Sequence, residues 1–430
     1  MGTPTYSTQL PFLFINSFSI LFIGMGLMPV LPLYAVDFGA STSVIGLYLS
    51  VIYISISTST MLTGWLATKV GRKRLFVTAG IVSIPALYLM GQATELWQLV
   101  VLTAVVWFCG GIGVALINVF TGLYASMENR GKWFSLIALN SPLGALTGGL
   151  LVGRLVDWQG YPLMFTVLCF IWASWPVLAY LKLDDRLESE TAPAMVKASP
   201  PPSLSSKIPL LLLLSAIFLS MMTINVGRLG LPLSMSSLEY TPGEVTTAMA
   251  FGGLVTLPFA YFLGVLSDRL GRKNVLTLGY MMAASGVLAL IVSSQAWHFA
   301  LVASMLLIAM TVSGSVASAF ATDLLSREVL VRVLPWFSAV GFLAGIVGFA
   351  GSGFIIERLG MTGLFVGTAV LSLLAVALIW PLRCERQLAA AFEAAWSCDI
   401  SFRTPLVPVA VSGDGAALPA EETMELPNTQ

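Results

Sequence analysis

The sequence predicts an all-α membrane protein with twelve transmembrane helices in two pseudo-symmetric six-helix bundles. Three observations support this prediction: a very apolar composition, long apolar runs, and a repeat that relates the two halves. The chain of 430 residues is 57% hydrophobic and 10% charged. A soluble protein has roughly 25% charged residues, so this chain has too few polar side chains to cover a surface that faces water.

Twelve apolar runs are long enough to cross a bilayer, because a helix rises ~1.5 Å per residue and the hydrocarbon core is ~30 Å thick. The runs show no two-residue alternation, which favours helices over a closed barrel. The predicted spans are residues 10–34, 43–66, 75–92, 97–122, 133–155, 161–181, 209–234, 244–267, 275–294, 297–321, 333–356 and 362–382.

A polar segment rich in proline and serine separates the sixth span from the seventh. We therefore predict an N-terminal six-helix bundle over residues 1–181, a cytoplasmic linker over 182–208 and a C-terminal six-helix bundle over 209–382. Residues 383–430 have the polar composition of a disordered tail, which we place in the cytoplasm.

The distribution of Lys and Arg predicts the orientation of the chain. With the N-terminus inside, 18 of the 21 Lys and Arg residues fall in cytoplasmic segments, and three fall in or near the outer side. The positive-inside rule therefore places both termini in the cytoplasm of a multi-pass protein of the cell membrane.

The two halves repeat each other with an offset of 200 residues. Parallel repeats of six helices are one way in which alternating-access carriers are built. The recurring residues are Leu31, Pro32 and Leu33 with Leu231, Pro232 and Leu233; Gly64 and Gly71 with Gly264 and Gly271; Arg72 and Lys73 with Arg272 and Lys273; and Gly153, Gly160 and Phe165 with Gly353, Gly360 and Phe365.

Two charged loops carry a resemblance to a known family. Residues 264–273 read GVLSDRLGRK and residues 64–73 read GWLATKVGRK. The first is a close match to the signature loop of the major facilitator superfamily, and the second departs from it at Thr68 and Lys69. The resemblance covers all twelve spans, and it implies a gating motif made of Gly64, Gly71, Arg72, Gly264, Asp268, Arg269, Gly271 and Arg272.

The resemblance implies distinct roles for these residues. Gly64 and Gly264 would let a helix end pack closely on the other half. Asp268 would face the positive end of a helix across the seam and hold a nearby arginine, which stabilises the outward-facing state. The alternative is that the charges only enforce topology. Because Thr68 replaces the acid, we expect the Asp268 side to dominate.

Within the superfamily, the chain most nearly resembles drug:proton antiporters, with two departures. Trp107 stands where proton-linked members often have a fourth-helix arginine. In GALTGG, residues 144–149, Ala145 replaces the proline of the drug exporters. Glycines at three-to-four spacing on the fifth and eleventh helices predict surfaces on which the halves slide.

The candidate substrate-binding residues are polar or aromatic groups on helices that line the central cavity in this family: Asn16, Trp107, Asn118, Asn225 and Arg228. Each asparagine binds either substrate or a neighbouring helix, because a buried amide requires a partner. Arg228 would contact an anionic or carbonyl-bearing substrate. The alternatives are an ion pair with Glu239 or Asp37, and snorkelling to the interface.

No acid falls in the middle of a predicted span, so the sequence shows no obvious carboxylate for proton coupling. No phosphate-binding loop, metal cluster or nucleophile motif is found, so we predict neither an enzyme nor a cofactor. The expected partners are a small-molecule substrate, a coupling proton or other ion, and membrane lipids. We expect no nucleic-acid partner and a monomer.

These observations predict a secondary active transporter that moves a small organic solute by alternating access. Export of amphipathic compounds is favoured by the resemblance to drug exporters. The alternatives are a facilitator or importer of an anionic metabolite that uses Arg228, and a transport-inactive scaffold or sensor that has kept the fold.

Overall fold

The computed structural model describes residues 9–126, 129–183, 204–324 and 327–382. These residues are almost entirely helical, and no strand occurs among them. The predicted tail over 383–430 and most of the predicted linker over 182–208 lie outside the described residues.

The first half has seven helices. They are α1 (Leu10–Leu27), α2 (Val30–Asp37), α3 (Thr42–Val70), α4 (Arg72–Met90), α5 (Leu96–Tyr124), α6 (Arg130–Ala138) and α7 (Asn140–Lys182). The second half has α8 (Leu204–Ser237), α9 (Pro242–Leu270), α10 (Arg272–Val292), α11 (Ala296–Thr311), a π-helical turn (Val312–Val316), α12 (Ala317–Leu324) and α13 (Arg327–Ile379).

These helices match the twelve predicted spans. Nine stretches of the described chain are long and apolar enough to cross a membrane. Two of them hold a pair of spans each, because the chain turns back at Gly160 within α7 and at Gly360 within α13. With these pairs separated and the 29-residue α9 added, the twelve crossings are complete.

Backbone conformation confirms the repeat. Gly71 and Gly271 both have positive φ, +91° and +86°, where α3 passes into α4 and α9 passes into α10. Gly160 and Gly360 have φ of +76° and +72° at the two turn-backs. Left-handed backbone strains any residue with a Cβ, so each of these positions favours glycine.

Two predicted spans are interrupted. The span over 10–34 is divided between α1 and α2, with Pro29 at the start of α2. Proline lacks the N–H that would continue the helix, which explains a break here. The span over 297–321 contains the π-helical turn, a feature that often accompanies functional sites.

The two halves meet along two seams, where α7 packs on α9 and α3 packs on α13. A Cβ added at Gly149 would approach Ala250 of α9, and one added at Gly345 would collide with Tyr53 of α3. In contrast, Gly144 and Gly148 pack on α1 within the first half. The predicted sliding surface is therefore smaller than the glycine pattern indicated.

Candidate functional site

A cavity of about 260 Å³ lies between the two halves. Its walls are almost wholly apolar and come from four helices of the first half and three of the second. The lining residues are Ile20, Leu21, Ile23, Gly24, Met25, Met28, Tyr53, Ile56, Thr60, Val106, Trp107, Gly110, Gly111, Val114, Trp172, Arg228, Met310 and Phe342.

Arg228 is the charged residue in this wall. Its Nη1 donates to the Tyr53 hydroxyl at 3.3 Å and lies 3.9 Å from the sulfur of Met310. Its Nη2 lies 4.0 Å from the sulfur of Met25. The buried Nε has no hydrogen-bond partner among the described residues.

The structure does not show the ion pair of Arg228 with Glu239 or Asp37 that the sequence left open. The ion pairs found among the described residues involve Arg272 instead. The Arg228 guanidinium thus faces the cavity with a phenol and two thioethers around it. A cation in a membrane interior without a carboxylate partner is costly, and such a residue is by default a functional candidate.

Tyr53 links the cavity walls of the two halves. Its hydroxyl accepts from Arg228 and donates to Oδ1 of Asn225 at 2.9 Å. Asn225 is 4% exposed, so this bond satisfies part of a buried amide. Asn225 therefore positions Tyr53 and Arg228 in this conformation.

The remaining predicted binding residues divide into three cases. Trp107 lines the cavity and is 8% exposed. Asn16 is fully buried in the first half, where neither of its amide atoms has a partner in the described structure. Asn118 is exposed on α5. Of the three asparagines, the geometry connects only Asn225 to the cavity wall.

Trp172 also reaches the cavity edge, but its indole N–H donates to the Ser83 hydroxyl at 2.6 Å. It packs edge-on against Trp175, which is fully buried. Both tryptophans therefore pack within the first half. The sequence had no signal for Tyr53 as the bridging residue, nor for the sulfurs of Met25 and Met310.

The inner end of the molecule, which we define by Gly71 and Gly271, holds the two signature loops. In the second half, Nη1 of Arg272 donates to Asp323 at 3.0 Å, and Nη2 lies 3.7 Å from Asp268. In the first half, the Thr68 hydroxyl bonds to the Trp65 carbonyl of its own helix at 2.7 Å. The two loops therefore share a backbone conformation, but Thr68 supplies no carboxylate at the position that Asp268 occupies in the second.

The other predicted gating residues lie on these same helix ends. Arg72 is half-buried at the start of α4, and Arg269 is exposed at the end of α9. A Cβ added at Gly64 meets nothing within 4 Å, so this glycine makes no close helix contact in this conformation. Gly264 lies in α9, and its surroundings are outside the described part of the chain.

The outer end, which we define by Asp157 and Glu357, is closed across both seams. At the α7–α9 seam, both carboxylate oxygens of Asp157 accept the Gly243 N–H at 3.1 Å. Asp157 also accepts from the Thr241 hydroxyl at 3.0 Å. Thr241 is the N-cap of α9, so a carboxylate of the first half occupies a helix start of the second.

The α3–α13 seam repeats this arrangement. Oε1 of Glu357 accepts the Ser43 N–H at 3.0 Å, one residue into α3. Hydrogen bonding from Ser43 holds the pKa of this carboxyl below its usual value. A carboxyl with a lowered pKa favours closure at neutral pH, and the effect is lost only as the pH falls through that lowered pKa.

We name Asp157, Glu357 and the two helix starts that they contact the outer seal. The sequence analysis missed it, although a signal was present. Asp157 and Glu357 are 200 residues apart, as are Ser43 and Gly243, and each acid lies four residues after a repeated glycine. The acids differ in type, so the repeat does not appear as an identity at these two positions.

Within the part of the chain that the structure describes, the inner ends of the same helices show no such contacts between the halves. Added Cβ atoms at Gly64 and Gly341 meet nothing within 4 Å, and the Asp268 side chain is 69% exposed. Gly314 and Ser315, in the π-helical turn, are also exposed. The structure is therefore closed at the outer end and open at the inner end, with the cavity between.

A family model described as Major Facilitator Superfamily matches residues 13–233 and 213–412. The chain belongs to the major facilitator superfamily. It is therefore a multi-pass membrane transporter and not an enzyme. The inside–outside orientation remains a prediction.

Among curated relatives, the chain is similar to the multidrug resistance protein MdtG of Salmonella arizonae. The two are 22% identical over 290 residues, which is 64% of this chain and 70% of the relative. The corresponding protein of Serratia proteamaculans is 24% identical over 275 residues, which is 61% of this chain and 66% of the relative.

Solved structures share the fold. The nucleoside transporter NupG has a TM-score of 0.72 at 14% identity, with 87% of this chain and 99% of that chain covered. A peptide transporter POT in complex with sulfate has a TM-score of 0.68 at 14% identity, with 90% and 94% covered. At this identity the likeness concerns the fold alone.

Proposed function

We propose that this transporter exports small amphipathic organic compounds by alternating access. The observation that supports the proposal most strongly is the cavity between the halves, whose apolar wall contains one guanidinium. The cavity of about 260 Å³ is slightly smaller than the roughly 300–1,000 Å³ that is usual for ligand pockets. Its size therefore fits a small solute. The MdtG relatives, named multidrug resistance proteins, favour export.

The alternating-access cycle would use the seams and the cavity together. The solute enters from the inner end, and the outer seal then opens while the inner ends approach. Asp268 would act at the inner end in the outward-facing state. Asn225, Arg228 and Trp107 would contact the solute or hold the groups that do.

The alternative is a facilitator or importer of an anionic metabolite. Arg228 favours this alternative, because it is a cation without a carboxylate partner in the described structure. The direction of net transport separates the two functions, since both would use the same cavity.

The deciding experiment is a thermal-shift screen of organic solutes on purified protein, followed by flux in proteoliposomes with and without a pH gradient. The proposal predicts that stabilising compounds are amphipathic and that a gradient drives their movement away from the inner end. Accumulation in the opposite direction would favour the importer. If no stabilising compound is transported, the result would contradict both the exporter and the importer and would favour the inactive scaffold.

A further inference from the structure

We infer that the preferred solutes are amphipathic anions: small molecules with a flat apolar body and one carboxylate, sulfonate or similar head group. This inference rests on the proposed function and adds the sign of charge that the cavity selects. It depends on the guanidinium of Arg228 and on the groups that surround it.

The polar capacity of Arg228 is only partly used. Its described contacts are one phenol at 3.3 Å and two thioether sulfurs near 4 Å, and the buried Nε has no acceptor. Thioethers are weak acceptors, and neither they nor a phenol neutralises a full positive charge. A bound carboxylate would supply the missing charge and could accept two parallel N–H bonds from the guanidinium.

The rest of the wall selects an apolar body. Trp107 and Phe342 offer flat surfaces, and Met25, Met28 and Met310 offer flexible ones that adapt to different shapes. No carboxylate occurs among the lining residues of this cavity. A lipophilic cation would therefore meet Arg228 without any compensating charge, and the wall would select against it.

Three naphthalene probes of matched shape test this inference: 2-naphthoate, 2-naphthamide and a naphthylmethylammonium ion. Binding to the full chain in nanodiscs is measured for the parent, Arg228→Gln and Arg228→Lys. Arg74→Gln is the control, because Arg74 is an exposed cation outside the cavity. We expect naphthoate to bind at least about tenfold more tightly than the amide, since charge-assisted bonds are the stronger ones.

Arg228→Gln should remove this preference, because it weakens naphthoate binding far more than amide binding, and Arg228→Lys should retain part of it. Equal binding of naphthoate and the amide by the parent would overturn the anion inference and leave the proposed function intact. Naphthoate binding without flux in proteoliposomes would overturn the proposed function and leave the anion site. If none of the three probes binds, the result would contradict both the anion inference and the proposed function.

A second inference rests on different residues. We propose that the outer seal sets the equilibrium between inward-facing and outward-facing states, with Asp157 and Glu357 as two equivalent switches. Each carboxylate belongs to one half and accepts a backbone N–H at a helix start in the other half. Both bonds must break when the outer end opens.

The surroundings make these contacts specific to the closed state. An added Cβ at Gly153 would collide with Thr246, and one at Gly353 would collide with the Thr42 carbonyl. The helices thus approach closely beside each acid. A helix start carries a partial positive charge that a carboxylate stabilises, and this stabilisation is absent once the helices separate.

The test uses Asp157→Asn, Glu357→Gln and the double variant. Glu95→Gln is the matched control, because Glu95 is an exposed outer acid that caps α5 within a single half. Each protein also carries Thr246→Cys, a seam position that is fully buried here. Labelling by a membrane-impermeant maleimide then reports opening of the outer end.

We expect several-fold faster labelling in the double variant, intermediate rates in each single variant and no change in Glu95→Gln. A parallel Ala216→Cys series reports unfolding, because Ala216 is buried within the second half. Double-variant rates equal to the control would overturn the proposal. Faster labelling at both cysteines would also overturn it, because it would indicate loss of the fold.

Discussion

The outer and inner ends of this transporter use the same 200-residue repeat in different ways. At the outer end the repeat is chemically symmetric: Asp157 of α7 contacts the start of α9, and Glu357 of α13 contacts the start of α3. At the inner end the two loops share a glycine with positive φ. Of the two family aspartate positions there, only the second keeps an acid, Asp268, beside Arg272.

This difference teaches that the repeat conserves helix geometry more strictly than it conserves charge. Glycine is the residue that adopts the left-handed backbone of these loops without strain, so both loops keep it. The charges face a weaker requirement, because the contacts at the inner end need not be the same in the two loops. We therefore expect changes at either outer acid to act alike, and changes at the two inner loops to act differently.

The largest effect is expected from filling the outer seams. Gly153→Val and Gly353→Val place a side chain where even a Cβ would collide with the opposite half. Because closure becomes sterically impossible, we expect transport to fall more than about tenfold and the outward-facing state to dominate. Impermeant labelling of Thr246→Cys measures that state. Gly367→Val is the control, since a Cβ at Gly367 meets nothing within 4 Å. Unchanged flux in both seam variants would contradict the tight contact.

The next largest effect tests the difference between the two loops of the inner end. Asp268→Asn should insert normally but transport at least about fivefold more slowly, within the range typical of coupling between conformational states. Thr68→Ala should have little effect, because the Thr68 hydroxyl bonds only to its own helix. Flux per inserted molecule measures both. Equal losses in the two variants would mean that the loops contribute equally.

A smaller effect is expected where the two halves meet at the cavity. Tyr53→Phe removes the hydroxyl that joins Arg228 to Asn225. Since a typical hydrogen bond contributes about 0.5–1.5 kcal/mol, we expect naphthoate affinity to change by about two- to tenfold. Tyr88→Phe, on an exposed face of α4, serves as the control. An unaltered dissociation constant would show that the bridge does not position Arg228.

The smallest effect concerns Glu239, a non-glycine residue with φ of +64°, where the first half has Gly39 at +74°. Left-handed backbone costs a residue with a Cβ about 1–2 kcal/mol. Glu239→Gly should therefore raise the melting temperature of the purified protein slightly. The reverse substitution, Gly39→Glu, should lower it. A lower melting temperature in both variants would indicate that Glu239 makes a favourable contact that outweighs its backbone strain.

The spans, the repeat and the family could be predicted because each depends on many residues. Apolar length follows from the composition of whole segments, and offset matches at Gly71, Gly160 and their counterparts reflect one backbone requirement repeated twice. The break at Pro29 was missed because the flanking residues remain apolar on both sides.

The candidate site was less predictable, because its geometry depends on side chains that meet across the seams. Arg228 and Trp107 could be chosen by charge and by family position. The Tyr53 bridge could not, since Tyr53 and Asn225 are 172 residues apart and lie on different halves. Asn16 is a residue that the sequence nominated for substrate binding but that does not line the cavity, since its side chain is fully buried within the first half.

Distances between spin labels at the two ends give the most direct test of the central claim, that the outer seal holds the halves closed outside and open inside. One pair replaces Trp158 and Trp297, both exposed at the outer end, and the other replaces Val70 and Leu270, both exposed at the inner end. In Asp157→Asn/Glu357→Gln we predict that the outer distance lengthens and the inner distance shortens. Unchanged distributions, or both distances lengthening together, would contradict the account.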